Sequence, residues 1–281
     1  STAAIVHIGA IPVFADVLEN QNIDPSAIEL VISKKTKAIM PVHLTGRLCD
    51  MRRICEIGNK YDVPIIEDAA QAVSSKLFDK PAGSWGLTGA FSTHPLKNLN
   101  ACGDGGFVTT DNEDIYQKLK KMRNHGMEDR NVVDSFGYVS RMDNLQAAIL
   151  TYRLTKLKEI IDRRRENAKI YFENLNQNAV ITCPEETGEL NTYHTFVIQV
   201  KKRDKLKIFL EKNGVGTAIH YPTPIHKQKA FENKFGRSAT TYPICEQQAN
   251  EILSLPVHQY LTKTQVETVA HLVNEFYEKH S

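Results

Sequence analysis

Residues 50–72 read DMRRICEIGNKYDVPIIEDAAQA, and this stretch decides the fold. Asp50 stands where a helix cap belongs, because its short carboxylate can take an unpaired N–H of the first turn. Apolar Met51, Ile54 and Ile57 then recur at helical spacing and share one face. The apolar run at 63–66 follows without alternation, as expected of a strand covered on both sides. The same order stands just upstream. Asp24 precedes Pro25, which suits the first helical position, in IDPSAIELVISKKTK, and AIMPVH at 38–43 follows as another buried strand. Helix, strand, helix, strand, with continuous apolar strands, predicts an α/β fold: a mostly parallel sheet flanked by helices.

Working outward, GAFS at 89–92 and GFVTT at 106–110 are predicted as short strands on either side of an irregular loop. Asn112 is placed to cap a helix over 113–126, which Gly126 can end. A long amphipathic helix is expected from Met142, with Leu145, Ile149 and Leu157 on one side, running with a break through residue 175. It leads into strand-like YHTFVIQV at 193–200, a helix from Arg203, strand-like GTAIHYP at 216–222 and a terminal helix from Thr262. This predicts a large domain over 1–160 and a smaller α+β domain over 161–281. The opening STAAIVHIGAIPVF reads as a helix already under way, with neither an initiator Met nor a charged leader, so an N-terminally truncated chain is expected.

Composition narrows the function classes. The 281 residues are 41% hydrophobic and 24% charged, which allows one large domain or a large and a small one. A net charge of +2 gives no basic stripe for nucleic acid, and Arg163–Arg165 reads as a solvated helix face. No apolar run is long enough to span a membrane. Five scattered cysteines, at 49, 55, 102, 183 and 245, make no zinc spacing and suit reduced thiols in the cytoplasm. No histidine pair has metalloprotease spacing, so no metal is expected. The dinucleotide and P-loop glycine motifs are absent, and GDGG at 103–106 precedes a strand rather than a helix, which suits a hairpin turn.

Open parallel sheets build their sites at the carboxyl ends of strands. Asp68 ends one such strand, where it can also cap the following turn. Lys97 lies in the loop after the next strand and can converge on the same edge, although a lone lysine can equally be a solvated charge. Together they suggest pyridoxal chemistry. A lysine amine in a partly dry pocket can form a Schiff base with an aldehyde. A protonated pyridinium, the better electron sink, needs an anionic partner. Ser92 can offer its hydroxyl to a phosphate or bond its own loop. Gln71, about one turn beyond Asp68, can reach a ring oxygen.

At these residues a family becomes recognisable. IIEDAAQA, GAFSTHPLKNLNACGDGGFVTT, MRNHG, SRMDNLQAAIL and GVGTAIHYPTPIH resemble the PLP-dependent sugar aminotransferases of the DegT/StrS type, in order and over nearly the whole chain. The resemblance implies a fold-type I PLP-transferase with pyridoxal 5'-phosphate as cofactor. It implies amino transfer from an amino acid, L-glutamate, to C3 or C4 of a nucleotide-linked keto-deoxysugar in amino-sugar and polysaccharide biosynthesis, with a leaning to C3. Lys97 then matches the lysine that carries the cofactor, Asp68 the carboxylate on its ring nitrogen, Gln71 the side chain beside its ring hydroxyl and Ser92 a phosphate ligand. His220 and Tyr221 match a segment near the nucleotide-sugar. A homodimer is implied, with sites at the subunit interface. Two departures stand out. Relatives carry a further N-terminal segment with a phosphate loop and a stacking aromatic. They also often have Asn where this chain has Val139, which cannot reach across to a partner's cofactor phosphate; neighbouring Ser140 could substitute. The alternatives are a ketosugar dehydratase, against which Lys97 argues because those enzymes have histidine there, and a non-catalytic regulator that binds PLP or a nucleotide-sugar.

Overall fold

The computed structural model describes residues 1–280. Helix α1 (Thr2–His7) is shorter than its sequence pattern suggested. Gly9 takes a φ of 80°, the chain turns, and 11–14 carry no helix. Helix α2 (Pro25–Val31) starts where Asp24 accepts the Ser26 N–H at 2.8 Å. Helix α3 (Met51–Tyr61) starts where Asp50 accepts the Arg53 N–H at 3.2 Å, and it buries Met51, Ile54 and Ile57 as their spacing required. Its last turn ends on Asp62 in the left-handed conformation at φ 53°.

Strand β1 (Ile66–Asp68) begins the first sheet. The predicted strand at 38–43 meets it as two parallel bridges, Ile39 to Ile65 and Val42 to Asp68, rather than as a continuous ladder. Pro41 lies between them and has no N–H to donate. After β1 comes a hairpin, β2 (Lys76–Leu77) and β3 (Lys80–Pro81). Strand β4 (Thr88–Ser92) then pairs parallel with β1, and β5 (Gly106–Thr109) pairs antiparallel with β4. The direction reverses through the loop over 93–105, whose last residues are the start of GDGG. Helix α4 (Glu113–Met122) starts at Asn112, whose side chain accepts the Ile115 N–H at 2.9 Å. It stops at Met122, ahead of Gly126, whose N–H still reaches back to the Lys121 carbonyl at 3.0 Å. The long helix is two, α5 (Asn144–Leu154) and α6 (Leu157–Asn174), parted at Thr155 and Lys156.

The C-terminal part holds β6 (Val180–Ile181), β7 (Glu189–Leu190), β8 (Phe196–Val200), α7 (Arg203–Lys212), α8 (Lys229–Phe235), α9 (Pro243–Glu251), β9 (Ile252–Leu255) and α10 (Lys263–His280). Strand β8 is central, antiparallel to both β6 and β9. GTAIHYP is not a strand; it touches the sheet at one bridge, Ala218 to Ser254. A core around Tyr171, Phe196, Ile198, Leu206, Leu253 and Val273 joins this sheet to α6, α7 and α10. A separate core around Ile39, Met51, Ile54, Ile65 and Ala72 lies under the first sheet.

The two parts are stitched together by polar groups. Strand β7 pairs with β2. The Arg47 guanidinium, 3% exposed as a residue, meets the Glu189 carboxylate at 2.5 and 3.1 Å and donates to the carbonyls of Cys183 and Pro184. The Thr192 and Thr195 N–H groups bond the Gly46 and Thr45 carbonyls at 3.2 and 3.3 Å. Residues 191–195 are thereby laid against the edge where β1 ends.

Candidate active site

Asp68 is the last residue of β1. Its N–H bonds the Pro41 carbonyl at 2.9 Å, and its own carbonyl accepts the His43 N–H at 3.0 Å. The preceding Glu67 is fully buried, and its carboxylate collects the N–H groups of Gly83, Trp85 and Gly86 at 2.7–2.8 Å and the His43 ring at 2.9 Å. The His43 Nδ1 accepts the Cys49 N–H, so Nε2 carries the proton that Glu67 receives. Burial opposes the charge on Glu67, yet the His43 and backbone N–H groups win and hold it below the usual carboxylate range. This anchored strand end fixes Asp68. One Asp68 oxygen accepts the Ala70 N–H at 3.1 Å, and the other takes the Ser1 hydroxyl. Asp68 thus caps its turn, and its side chain remains 19% exposed at the end of β1.

Lys97 sits in the loop between β4 and β5, its N–H bonded to the His94 carbonyl at 2.8 Å. The loop is held from several elements. Asn98 donates to the Thr192 carbonyl at 3.0 Å. Gln146 of α5 accepts the Cys102 N–H at 2.8 Å, and Arg153 donates to the Asn100 carbonyl at 2.7 Å. Within the loop, the Thr93 N–H reaches the Gly105 carbonyl at 2.8 Å. A β-carbon on Gly105 would come within 2.6 Å of the Thr93 hydroxyl, and one on Gly106 within 2.4 Å of the Phe91 carbonyl. GDGG is therefore a close-approach turn, as its place before a strand suggested.

The amine of Lys97 is half-buried and has no hydrogen-bond partner among the described residues. Burial lowers its pKa below the usual lysine value, and the charge of Asp68 offsets part of that shift. The Asp68 carboxylate is thus within electrostatic reach of the Lys97 amine. Gln71 is adjacent: its carbonyl oxygen accepts the Thr45 N–H at 2.7 Å, and its amide nitrogen has no partner among the described residues. The Ser92 oxygen accepts the His94 N–H at 3.3 Å, so it does bond its own loop, which leaves its O–H to donate. His220 bonds the Ser254 hydroxyl at 2.8 Å, and its pKa is lowered by burial and then by the charge of Lys97. Tyr221 lies beside it, edge-on at 5.4 Å and 57% exposed. Val139 is 64% exposed, on the strand-like turn that pairs with Asn124.

Sequence reasoning missed His194. It lies within a stretch read as strand, and no motif or spacing marks it. The structure brings it to the site from the segment leading into β8. Its pKa is pushed down to about 3, by burial first and then by the charges of Lys97, Arg164 and His220. Its Nδ1 is shielded and has no partner.

This donor set fits a pyridoxal cofactor. It offers an uncommitted amine in a partly dry place, a carboxylate whose charge reaches it, a free amide N–H and a hydroxyl able to donate. The carboxylate oxygens have lone pairs beyond those that Ala70 and Ser1 use. An α/β sheet edge that carries these groups suits pyridoxal chemistry.

The comparisons give the family. The model of the DegT/DnrJ/EryC1/StrS aminotransferase family matches residues 1–274, and the chain belongs to that family. It is 40% identical over 278 residues to dTDP-3-amino-3,6-dideoxy-alpha-D-galactopyranose transaminase of Aneurinibacillus thermoaerophilus, across 98% of this chain and 76% of that protein. It is 38% identical over 272 residues to UDP-N-acetyl-3-dehydro-alpha-D-glucosamine 3-aminotransferase of Acidithiobacillus ferrooxidans, across 96% and 73%. Among solved structures, DesV of S. venezuelae in complex with a ketimine intermediate superposes with a TM-score of 0.94 at 32% identity, across 98% of this chain and 75% of that one. No helix among the described residues is long and apolar enough to cross a membrane.

Proposed function

We propose that this enzyme moves an amino group from L-glutamate to the keto carbon of a nucleotide-linked deoxysugar, at C3 in preference to C4. The observation that carries the reading is the half-buried, unpartnered Lys97 amine within electrostatic reach of the Asp68 carboxylate at the end of β1. Both sugar-specific relatives above act, by name, at a 3-amino position of a UDP- or dTDP-linked sugar, which supports C3.

Pyridoxal 5'-phosphate, when bound, supplies an electron sink for the carbon that loses its proton. Lys97 carries it through the side-chain amine. Once released, that amine takes the proton from the donor α-carbon; in the second half-reaction it delivers one to the sugar carbon. Lowering its pKa keeps more of the amine in the free-base form needed for the first transfer. Asp68 accepts the ring N–H and so keeps the ring nitrogen protonated. The Gln71 amide nitrogen donates to the ring oxygen, and Ser92 donates to the phosphate. His220 and Tyr221 contact the sugar nucleotide.

The same reading makes the protein a cytoplasmic homodimer. Val133, Phe136, Tyr138, Val139 and Leu145 are exposed together with Phe136 fully so, an apolar surface that a second copy would cover. Val139 brings no amide to that face, whereas Ser140 keeps a hydroxyl there. The distinct cores around Met51 and Tyr171 support a large domain over 1–160 and a smaller one over 161–281, with a small cluster of Leu99, Leu157 and Ile161 where they meet.

The test is direct. The purified protein is loaded with the cofactor, its visible spectrum is followed on adding glutamate, and a panel of UDP-, dTDP- and GDP-ketosugars is screened by mass spectrometry. A spectral change with glutamate and an aminated 3-ketosugar are expected. Replacing Lys97 with Ala should lower turnover by at least about a thousandfold, and Asp68→Ala should leave a bound but slow cofactor. Full activity in the Lys97 variant would overturn the assignment. A spectrum that glutamate leaves unchanged would point instead to a regulator.

A further inference from the structure

Strand β9 is the edge of the C-terminal sheet, and the segment GTAIHYP meets its free side. Ala218 and Ser254 exchange both backbone hydrogen bonds there, at 3.2 and 2.7 Å. Two residues further on, the His220 ring returns to the same strand residue, with Nδ1 at 2.8 Å from the Ser254 Oγ. Ser254 is only 6% exposed and stands between Leu253 and Leu255 of the apolar core. A hydroxyl so placed is costly unless its proton reaches an acceptor. Among the described residues the His220 ring is the one hydrogen-bond partner of this oxygen. If Nδ1 carried the ring proton and donated it to Oγ, the serine proton would be left buried without an acceptor. The serine therefore donates, and Nδ1 is the bare nitrogen of the ring. A neutral imidazole has one N–H, which must then be at Nε2. That nitrogen makes no hydrogen bond among the described residues.

We propose that Ser254 is a positioning residue for His220: its hydroxyl fixes the ring and sets its tautomer, so that the neutral imidazole offers an Nε2–H donor to an acceptor oxygen of the sugar nucleotide. This rests on the reading that His220 contacts that substrate. The bond made by one ring nitrogen decides which proton the other presents. Here that bond comes from a strand held on both edges, by β8 on one side and by Ala218 on the other. The ring is thus oriented by the sheet rather than by its own loop. Burial, and then the charge of Lys97, lower the His220 pKa, which favours the neutral form that the arrangement requires. A neutral donor selects a phosphate, hydroxyl or carbonyl oxygen without needing a protonated imidazole.

The experiment reads the ring proton directly. The full chain is labelled with nitrogen-15 histidine, and the ring nitrogens are recorded by long-range proton–nitrogen correlation at neutral pH. The His220 signals are identified by their loss in His220→Gln. The parent should show the proton on Nε2 and a bare, hydrogen-bonded Nδ1. In Ser254→Ala the Nδ1 resonance should move toward that of an unbonded ring nitrogen, whereas Ser254→Thr keeps a hydroxyl and should hold the parent pattern. The Ala variant should also raise KM for the ketosugar nucleotide by about fivefold, with a smaller change in kcat. A parent ring with its proton on Nδ1 would overturn the proposal, and this measurement decides even if the Ala variant does not fold. An Ala variant whose nitrogen spectrum or KM matches the parent's would overturn it as well. Failure of the parent to aminate any ketosugar would sink the function proposed above, while the nitrogen spectrum would still report whether Ser254 sets the tautomer.

Discussion

At the scale of single residues, burial and charge make opposite demands that acid conditions separate. His194 has an ordinary value of 6.5 when unfolded and about 3 when folded. Between those values the unfolded chain binds a proton that the native chain refuses. Stability is therefore fully present above pH 6.5 and falls as pH drops through that window. By pH 5 about 2 kcal/mol of it has been lost. A urea titration of His194→Gln at pH 7 and pH 5 should show a stability difference smaller than the parent's by about that amount. Equal differences in the two proteins would show that the ring is not held neutral. Lys97 works in the same sense at the other end. Its folded pKa is depressed, so stability rises with pH from the folded value up to the unfolded one near 10.5. Glu67 tests burial differently. Each of its oxygens receives N–H donors, so Glu67→Gln must turn an N–H group against one of them. The expected loss is about 3 kcal/mol, read as a lower urea midpoint.

At the scale of elements, helix starts follow local chemistry closely enough to be tested one at a time. Asp50→Ala removes the oxygen that takes the Arg53 N–H and should cost about 1 kcal/mol of stability in chemical denaturation. The three caps at Asp24, Asp50 and Asn112 were legible because each acts within three residues of itself. The strand end at Asp68 and the Lys97 loop were legible for a related reason: continuous apolar runs and a glycine turn mark the sheet edge. Helix ends were read less well. The patterns ran past His7 and Met122, because apolar spacing continues while the backbone has already turned. GTAIHYP looked like a strand from its composition, but only Ala218 finds an edge to pair with. His194 was illegible. Its place depends on residues 191–195 being carried onto a loop nearly a hundred positions away, which no local pattern encodes.

At the scale of the whole molecule, the site exists because two separately packed parts are held in register. The cores around Met51 and Tyr171 do not merge, so registration falls to polar links at their boundary and to a small apolar cluster of Leu99, Leu157 and Ile161. Arg47 is the most heavily bonded of these. Its side chain is 4% exposed, that of Glu189 13%, and the two backbone carbonyls it also reaches belong to the C-terminal part. Removing one member of a buried pair leaves the other charge without compensation, which costs about 3–5 kcal/mol. Arg47→Leu should therefore destabilise the protein by that order. Replacing both residues, Arg47→Leu with Glu189→Leu, removes the stranded carboxylate and should recover much of the loss. The four proteins form a double-mutant cycle measured by urea unfolding, and a coupling energy of at least about 2 kcal/mol is expected. The same cycle reaches the site, because loop 43–47 carries the Thr45 N–H that holds Gln71 and the Gly46 and Thr45 carbonyls that hold residues 192 and 195. Loosening Arg47 should accordingly weaken cofactor retention in the single variant and restore it in the double. Additive losses with unchanged retention would mean that the two parts keep their register without this pair.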